Sequence, residues 1–428
     1  MHRSSRILVP AVVAGAALSA FGQSSFVPLG DLPGGSAFSS ASGVSSFDEA
    51  GGVAGNLVVV GNSQSSNGRE AFRWTAGDGL VGLGSLGGSF FFSNAAAVDA
   101  TGATVVGGAS APEGILAYRW RVSTGLVSLG DLPGGTEESE ASATSADGSV
   151  VVGASRSRPG PVGGEAFLWV EGFGMLGLGR LDPEDASIAL GVSADGSIIV
   201  GSSGPTPDDR TPFRWTAATG LEALELLPGE SKSGEASGIS ADGRTIVGWA
   251  EQDTQQLAVR WAADGIESLG APAPFEDARL FAQAASEDGS VIVGWGEAGA
   301  ELTAFIWTID AGMRPLKEVL EDDFGLDLTG WSLDLALDVT VHSDSGAAAV
   351  VGVGTNPGGA SEAFLAVLDP RPACPPDYDG DGELTIFDFL MFFNLFQDGD
   401  LAADFDGDGV LTIFDFLAFQ NAFQDGCG

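Results

Sequence analysis

Apolar residues along the chain come in short runs, broken by Gly, Asp and Ser at positions that are themselves periodic. Val150-Val151-Val152-Gly153, Ile198-Ile199-Val200-Gly201 and Thr245-Ile246-Val247-Gly248 each follow an Asp-Gly pair, at Asp147-Gly148, Asp195-Gly196 and Asp242-Gly243. Gly takes positive φ without a steric penalty, so Asp-Gly between β-rich runs predicts a hairpin. A further short run precedes the pair, as in Ala189-Leu190-Gly191-Val192. The period is set by tryptophan: Trp74, Trp120, Trp169, Trp215, Trp261 and Trp307 stand 46, 49, 46, 46 and 46 residues apart. Each closes a motif such as Glu70-Ala71-Phe72-Arg73-Trp74 or Glu165-Ala166-Phe167-Leu168-Trp169, and an alternating run such as Leu126 to Gly130 follows it. A seventh copy, Glu362-Ala363-Phe364-Leu365-Ala366, lacks the Trp, as terminal repeats drift.

Each unit therefore predicts four short antiparallel strands, and seven units predict an all-β, seven-bladed β-propeller over residues 23–370. A parallel β-helix or solenoid is the alternative, but its repeats are shorter and need polar caps. The chain opens with an extra strand, Phe26 to Leu32, and its last repeat ends at Leu368 without a fourth one. The first strand is thus expected to complete the last blade and close the ring. The periodic Trp and Phe predict packing between blades rather than exposed sugar-stacking platforms, and the Asp-Gly pairs predict turns rather than metal ligands. Function is sought in the irregular parts: the Gly-rich stretch Glu49 to Asn56, the loop Arg156 to Gly164, and the insertion Leu320 to Leu333. The repeat resembles the extracellular HAF repeat family, with Ala-Phe kept and the His replaced by Glu at Glu70, Glu165 and Glu362. That resemblance implies no particular chemistry.

Charge narrows the partners. With 18 Lys and Arg against 58 Asp and Glu, the net charge is -40, which repels phosphate backbones and excludes nucleic acid. Arg3 and Arg6 followed by the apolar stretch Ile7 to Ala20 predict a signal peptide over residues 1–22, cleaved after Gly22. The stretch is shorter than the ~20 residues that a spanning helix needs, and no later segment is long enough either. The product is expected outside the cytosol or on the cell surface. Cys374 and Cys427 are the only cysteines. In an oxidising compartment they pair with each other, or Cys427 is used for attachment to another chain.

Residues 371–428 carry the sharpest chemistry. Asp377, Asp379 and Asp381 fall at positions 1, 3 and 5 of a calcium loop, followed by Gly382 at position 6. The carbonyl of Glu383 falls at position 7, Thr385 at position 9 and Asp388 at position 12. Asp404, Asp406, Asp408, Val410, Thr412 and Asp415 repeat that spacing 27 residues later. Alternating carboxylates along a tight loop converge on one hard cation, so two Ca2+ ions are expected. Cys374-Pro375-Pro376 precludes a helix before the first loop, unlike an EF-hand.

Loop followed by helix, duplicated, resembles a type I dockerin module. The resemblance implies a helical face that docks onto a cohesin-like protein, with partner contacts at Ile386, Phe387, Ile413 and Phe414. Dockerins often carry polar residues there, so this sequence departs from the usual partner chemistry. The ending Gly426-Cys427-Gly428 is similar to GC-type dockerin-anchored proteins, in which the module is a surface anchor.

After cleavage a single histidine remains, His342, expected in a surface turn; this argues against Ser-His-Asp, Cys-His and histidine-metal chemistry. No Asp/Glu pair outside the repeat stands out as an acid/base couple. The sequence predicts a tethered binding or structural propeller without catalysis, with a glycan as a possible ligand. The alternative is a carbohydrate-active hydrolase or lectin carried by the same tail.

Overall fold

The computed structural model describes residues 24–47, 57–158, 164–206, 209–229, 233–253, 255–343, 345–370, 376, 378, 384–405 and 410–425. The expected signal peptide, the insertion Glu49 to Asn56, most of the loop Arg156 to Gly164 and both cysteines lie outside these residues. Gln23–Pro372 makes one compact unit and Ala373–Gly428 belongs to a second.

Among the described residues of the first unit, 28 strands fall into seven four-stranded antiparallel sheets, the blades of a β-propeller. Blade 3 is representative, with strands Ser139–Thr144, Val150–Arg156, Gly164–Val170 and Gly174–Gly179. The Asp-Gly pairs are turns between first and second strands. Gly148 adopts φ 67° there, and Asp147 Oδ1 accepts from Ser145 Oγ (2.7 Å) and Ser149 N (2.9 Å). Bonds from Ser149 and Ser145 hold the Asp147 carboxyl down to about 2. The same turn recurs at Asp195, Asp242 and Asp288.

Every first strand carries a one-residue bulge against the second, from Ala41/Gly43 in blade 1 to Ala336/Asp338 in blade 7. The glycine that ends each Val-Val-Val-Gly-type run sits beside it. A Cβ on Gly153 would overlap the Glu140 carbonyl oxygen, and one on Gly201 the Ile188 carbonyl oxygen. This close approach is why the repeat keeps Gly at that position.

The blades pack through the periodic aromatics. Phe72, Tyr118, Phe167, Phe213, Phe305 and Phe364 are fully buried, each contributing about 2 kcal/mol by apolar burial. Trp74, Trp261 and Trp307 are buried, while Trp120, Trp169 and Trp215 are half-buried against the same interfaces. The guanidiniums of Arg119 and Arg260 lie 4.9 Å over the rings of Trp169 and Trp307 in the following blades.

At four of the seven seams a buried serine hydroxyl bridges the two blades. Ser139 of blade 3 accepts from Ala117 N (2.9 Å) and donates to Gly130 O (2.6 Å), both in blade 2. Ser93 and Ser187 bridge the preceding seams alike. Ser39 does so at the closure, accepting from Ala363 N and donating to Gly30 O.

The N-terminal strand Ser25–Pro28 pairs antiparallel with Ser361–Leu368 and is the fourth strand of blade 7, as its sequence predicts. Ser332–Val341, the first strand of blade 7, packs on the first strands of blades 6 and 1, so the ring is closed. Two carboxylates that depart from the repeat pattern reinforce this seam. Glu287 replaces the Ala found in other turns, such as Ala146 and Ala194. It accepts from Ser46 Oγ of blade 1 (3.1 Å) and from Thr340 Oγ1 (2.5 Å) and Val341 N (2.8 Å) of blade 7. Asp338 stands at the bulge and accepts from Val44 N and Val339 N, both at 2.9 Å. Asp338 as a residue is half-buried, but its carboxyl end is enclosed by the seam. Burial pushes its pKa up to about 7 against the pull of the two N–H donors, with the Glu287 charge adding to the rise.

The insertion Leu320 to Leu333 is also core rather than an open recognition loop. Residues 316–323 form a short helical segment, and Leu316, Val319, Leu320 and Leu328 are buried between blades 6 and 7. His342 is half-buried in the last turn, with Phe47 edge-on at 5.7 Å.

Ser139→Ala is expected to lower the unfolding free energy by about 1–3 kcal/mol, because it strands one N–H and one C=O at a seam. Denaturant titration checks this, and a variant as stable as wild type removes the hydroxyl stitch as a stabilising element. Between about pH 4 and 7 folded Asp338 holds a proton that the unfolded chain has released. The stability it carries is therefore complete below about pH 4 and declines as pH rises to about 7. Asp338→Asn should show a smaller drop in Tm from pH 5 to pH 8 than wild type; equal drops contradict the assignment.

Candidate functional sites: a paired loop module and a rim groove

In the C-terminal unit the two helices, Ile386–Asp398 and Ile413–Asp425, begin identically. Thr385 Oγ1 accepts from Phe387 N (3.1 Å), and Thr412 Oγ1 accepts from Phe414 N (3.1 Å), capping each helix. Asp388, three residues after its cap, is fully buried. Its Oδ2 accepts from Thr385 N (2.7 Å) and its Oδ1 from Tyr378 N (2.8 Å). Asp415 is likewise buried and accepts from Thr412 N (2.7 Å) and Phe405 N (2.9 Å). Position 12 thus ties the start of each acidic loop to the start of the following helix.

The core obeys the same internal symmetry. Phe392 and Phe419, 27 residues apart, stack with centroids at 4.0 Å and planes 5° apart. Tyr378 meets both edge-on at 5.5 and 5.6 Å, and its counterpart Phe405 does so at 6.3 and 5.7 Å. The Tyr378 hydroxyl donates to Ala402 O, and burial pushes its phenol up to about 12, with the Asp415 charge adding. What remains outside that core are two equivalent apolar corners. Ile386 and Phe387 are 62% and 63% exposed, and Ile413 and Phe414 are 60% and 66% exposed. Leu390, Met391 and Leu417 extend them.

Of the expected calcium ligands, Thr385 with Asp388 and Thr412 with Asp415 come together in the same way in both copies. Asp404 and Val410 are described, at the two ends of the second loop. Asp377, Asp379, Asp381, Glu383, Asp406 and Asp408 lie outside the described residues, as do Cys374 and Cys427. The donor set is all oxygen, which fits a hard divalent cation.

The propeller presents a second candidate. The face carrying the loops between second and third strands holds a groove of about 460 Å³ running over blades 3 and 4. Ile188 and Pro205 give it an apolar floor, while Glu138, Glu140, Arg156 and Arg210 supply charge. Arg210 also borders a smaller, polar cavity of about 220 Å³ beside blade 5. Trp249 walls this second cavity and meets Phe281 edge-on at 6.4 Å; Phe281 stacks on Trp295 at 3.9 Å. Glu287 and Asp338 line neither cavity.

No family profile matches the chain, and no curated protein matches it. Among solved structures it is similar to a putative TolB from Agrobacterium tumefaciens: 16% identity, TM-score 0.39, covering 63% of this chain and 88% of that one. TolB from Acinetobacter baumannii follows, at 10% identity and TM-score 0.39, covering 74% and 78%. A prolyl endopeptidase is similar at 12% identity and TM-score 0.44, covering 78% and 51%. Likeness at this level says nothing about ligand or activity.

Arg156 and Gly164, the ends of a loop already singled out in the sequence, border the larger groove, whereas the cavity beside blade 5 was passed over. Its signal was available: Trp249 and Trp295 occupy the position held by Asn62, Gly108, Ala154 and Ser202 in other blades, and so stand outside the Trp period. Among the described residues no helix is long and apolar enough to cross a membrane.

Phe392→Ala and Phe419→Ala are each expected to destabilise the C-terminal unit by about 3–5 kcal/mol. Amide hydrogen exchange over 384–425 in the full chain reports it. The symmetry predicts similar loss of protection from either substitution; loss from one alone contradicts a shared core.

Proposed function

We propose that this protein is a non-catalytic binding propeller displayed outside the cytosol, and that its C-terminal unit is a calcium-folded docking module that tethers it. The observation that carries the reading is the duplication in that unit: two acidic loops, each leading into a capped helix, with equivalent exposed apolar corners at Ile386/Phe387 and Ile413/Phe414. So much apolar surface on a small unit needs a covering partner. Its chemistry is that of a complementary apolar protein face, the role a cohesin-like protein fills for dockerins. Two similar corners would let that partner engage the module in either of two orientations.

Calcium enters through the oxygen ligands of each loop. It would neutralise clustered carboxylates that otherwise repel one another in a chain of net charge -40. Asp388 and Asp415 have a second duty, since each also holds the N–H groups at its loop start and helix start. Removing the ion is therefore expected to loosen the loops and, through them, the apolar corners. Display outside the cytosol rests on Arg3, Arg6 and the short apolar stretch that follows them. The absence of catalysis is inferred from the engagement of the two carboxylates outside the repeat. Glu287 and Asp338 accept bonds that hold the ring closed, away from either rim cavity.

Calorimetry of the full chain should find two Ca2+ ions, with Asp404→Ala removing one of them. Capture of an envelope protein by the immobilised chain should require Ca2+ and be lost in Phe387→Glu/Phe414→Glu. Equal capture with and without chelator rules out the tether.

A further inference from the structure

The larger rim groove, about 460 Å³, offers a ligand open apolar surface and very few hydrogen-bond donors. It runs from Ile115, which opens the third strand of blade 2, across blades 3 and 4. Ile115, Ala154, Ala186 and Ile188 are half-buried and Pro205 is exposed at the mouth, so this surface can be reached from solvent. Ile188 takes the place held by Ser40, Asn94, Glu140 and Glu235 in blades 1, 2, 3 and 5, each directly before the Ala at the bulge. The ring thus departs from its repeat where the groove is apolar.

The polar groups bordering the groove are already engaged. Ser139 and Ser187 donate to Gly130 O and Gly179 O, both at 2.6 Å. Ser155 donates to Glu138 O (3.2 Å) and Ser202 to Glu235 (2.9 Å). Arg156 pairs with Glu138 at 2.6 Å, and Arg210 pairs with Glu235. The group left over is an acceptor. Glu140 is exposed and its Oε1 accepts from Asn94 Nδ2 (2.8 Å), while among the described residues nothing donates to its Oε2.

The surroundings are acidic as well. Glu137, Asp182, Glu184 and Asp209 are exposed beside the lining residues. Burial raises the pKa of Asp185, next to Ala186, and the nearby charges of Asp182 and Asp209 add to the rise against the pull of Arg158. The Arg158 guanidinium is itself occupied with Glu184 O and Asp185 O, both at 2.8 Å.

This inventory decides between ligand classes. An anion meets guanidiniums that carboxylates already hold and a surplus of negative charge. A neutral polyol needs donors and acceptors together, and the groove supplies acceptors. A wholly apolar ligand would cover Glu140 without giving it a donor. A cation attached to an apolar side chain satisfies both the floor and the carboxylate. The groove crosses more than one blade and its volume lies within the usual range for ligand sites, so a short stretch of chain fits better than a single small amine.

We propose that this groove docks a basic peptide segment of another protein, with one apolar side chain over Ile188 and Pro205 and a neighbouring Lys or Arg paired with Glu140. The proposal rests on reading the propeller as a binding module, and it names the partner's chemistry.

A random peptide library displayed on phage is selected against the immobilised full-length chain, and the enriched peptides are synthesised and titrated by calorimetry. The enriched sequences should share a Lys or Arg beside Leu, Ile, Phe or Trp. Ile188→Asp should weaken their binding roughly tenfold or more, as loss of one buried apolar contact implies. That variant adds negative charge, so general attraction to an acidic chain would strengthen binding instead. Glu140→Gln can still accept from Asn94 and should weaken binding about two- to fivefold at low salt. Pro205→Asp, at the exposed mouth, repeats the apolar test where Ile188→Asp fails to fold. An acidic or uncharged consensus, no enrichment, or affinity unchanged in both Asp variants overturns the proposal. Calcium-dependent capture through the tail is measured on the same samples. Loss of peptide binding with capture intact refutes the groove alone, whereas loss of capture with peptide binding intact refutes the tether alone.

Discussion

Seven sheets can stand in a ring only if the polar backbone groups at their seams are satisfied, because each seam is dry and a stranded N–H or C=O is expensive there. At four of the seven seams a single serine hydroxyl meets that constraint, accepting from an N–H and donating to a C=O of the preceding blade. Ser93, Ser139 and Ser187 do so along the chain, and Ser39 does so where the two ends of the ring meet. The aromatic layer supplies most of the burial, but apolar contact alone tolerates sliding. The hydroxyls fix the register in which one blade meets the next.

The closing seam carries more than the others. It has the Ser39 bridge, the fourth strand donated by the N-terminus, and two carboxylates found nowhere else in the repeat pattern. Glu287 reaches from blade 6 to both blade 7 and blade 1, so one side chain spans three sheets. The insertion at 316–328 fills the gap between blades 6 and 7 with leucines. Extra polar groups thus gather at the closing seam, and extra apolar side chains at the seam before it.

The regular part of this architecture was legible because its physics repeats. Asp-Gly turns, buried Phe and spaced Trp give one answer many times over, and the unpaired strand at Phe26 announces the closure. The exposed positions Ile386, Phe387, Ile413 and Phe414 were singled out only through the resemblance to dockerins. What escaped notice was whatever broke the repeat singly. Trp249, Trp295, Glu287 and Asp338 each look like drift in one unit, and only the ring brings them to a shared cavity or seam. Leu320 to Leu333 misled for the opposite reason: it interrupts the period, yet its leucines are structural.

The pairing of Ser25–Pro28 with Ser361–Leu368 also has a mechanical meaning. The C-terminal tail leaves directly from the third strand of blade 7, which is hydrogen-bonded on both sides, to Ala348–Thr355 and to the N-terminal strand. Tension drawn along that strand is resisted in shear, by two ladders that must yield together, rather than peeled bond by bond from an edge. Placing the chain's first strand on the outside of its last thus protects the exit point of the tail. A load transmitted from the tail would meet the ring at a strand bonded on both sides.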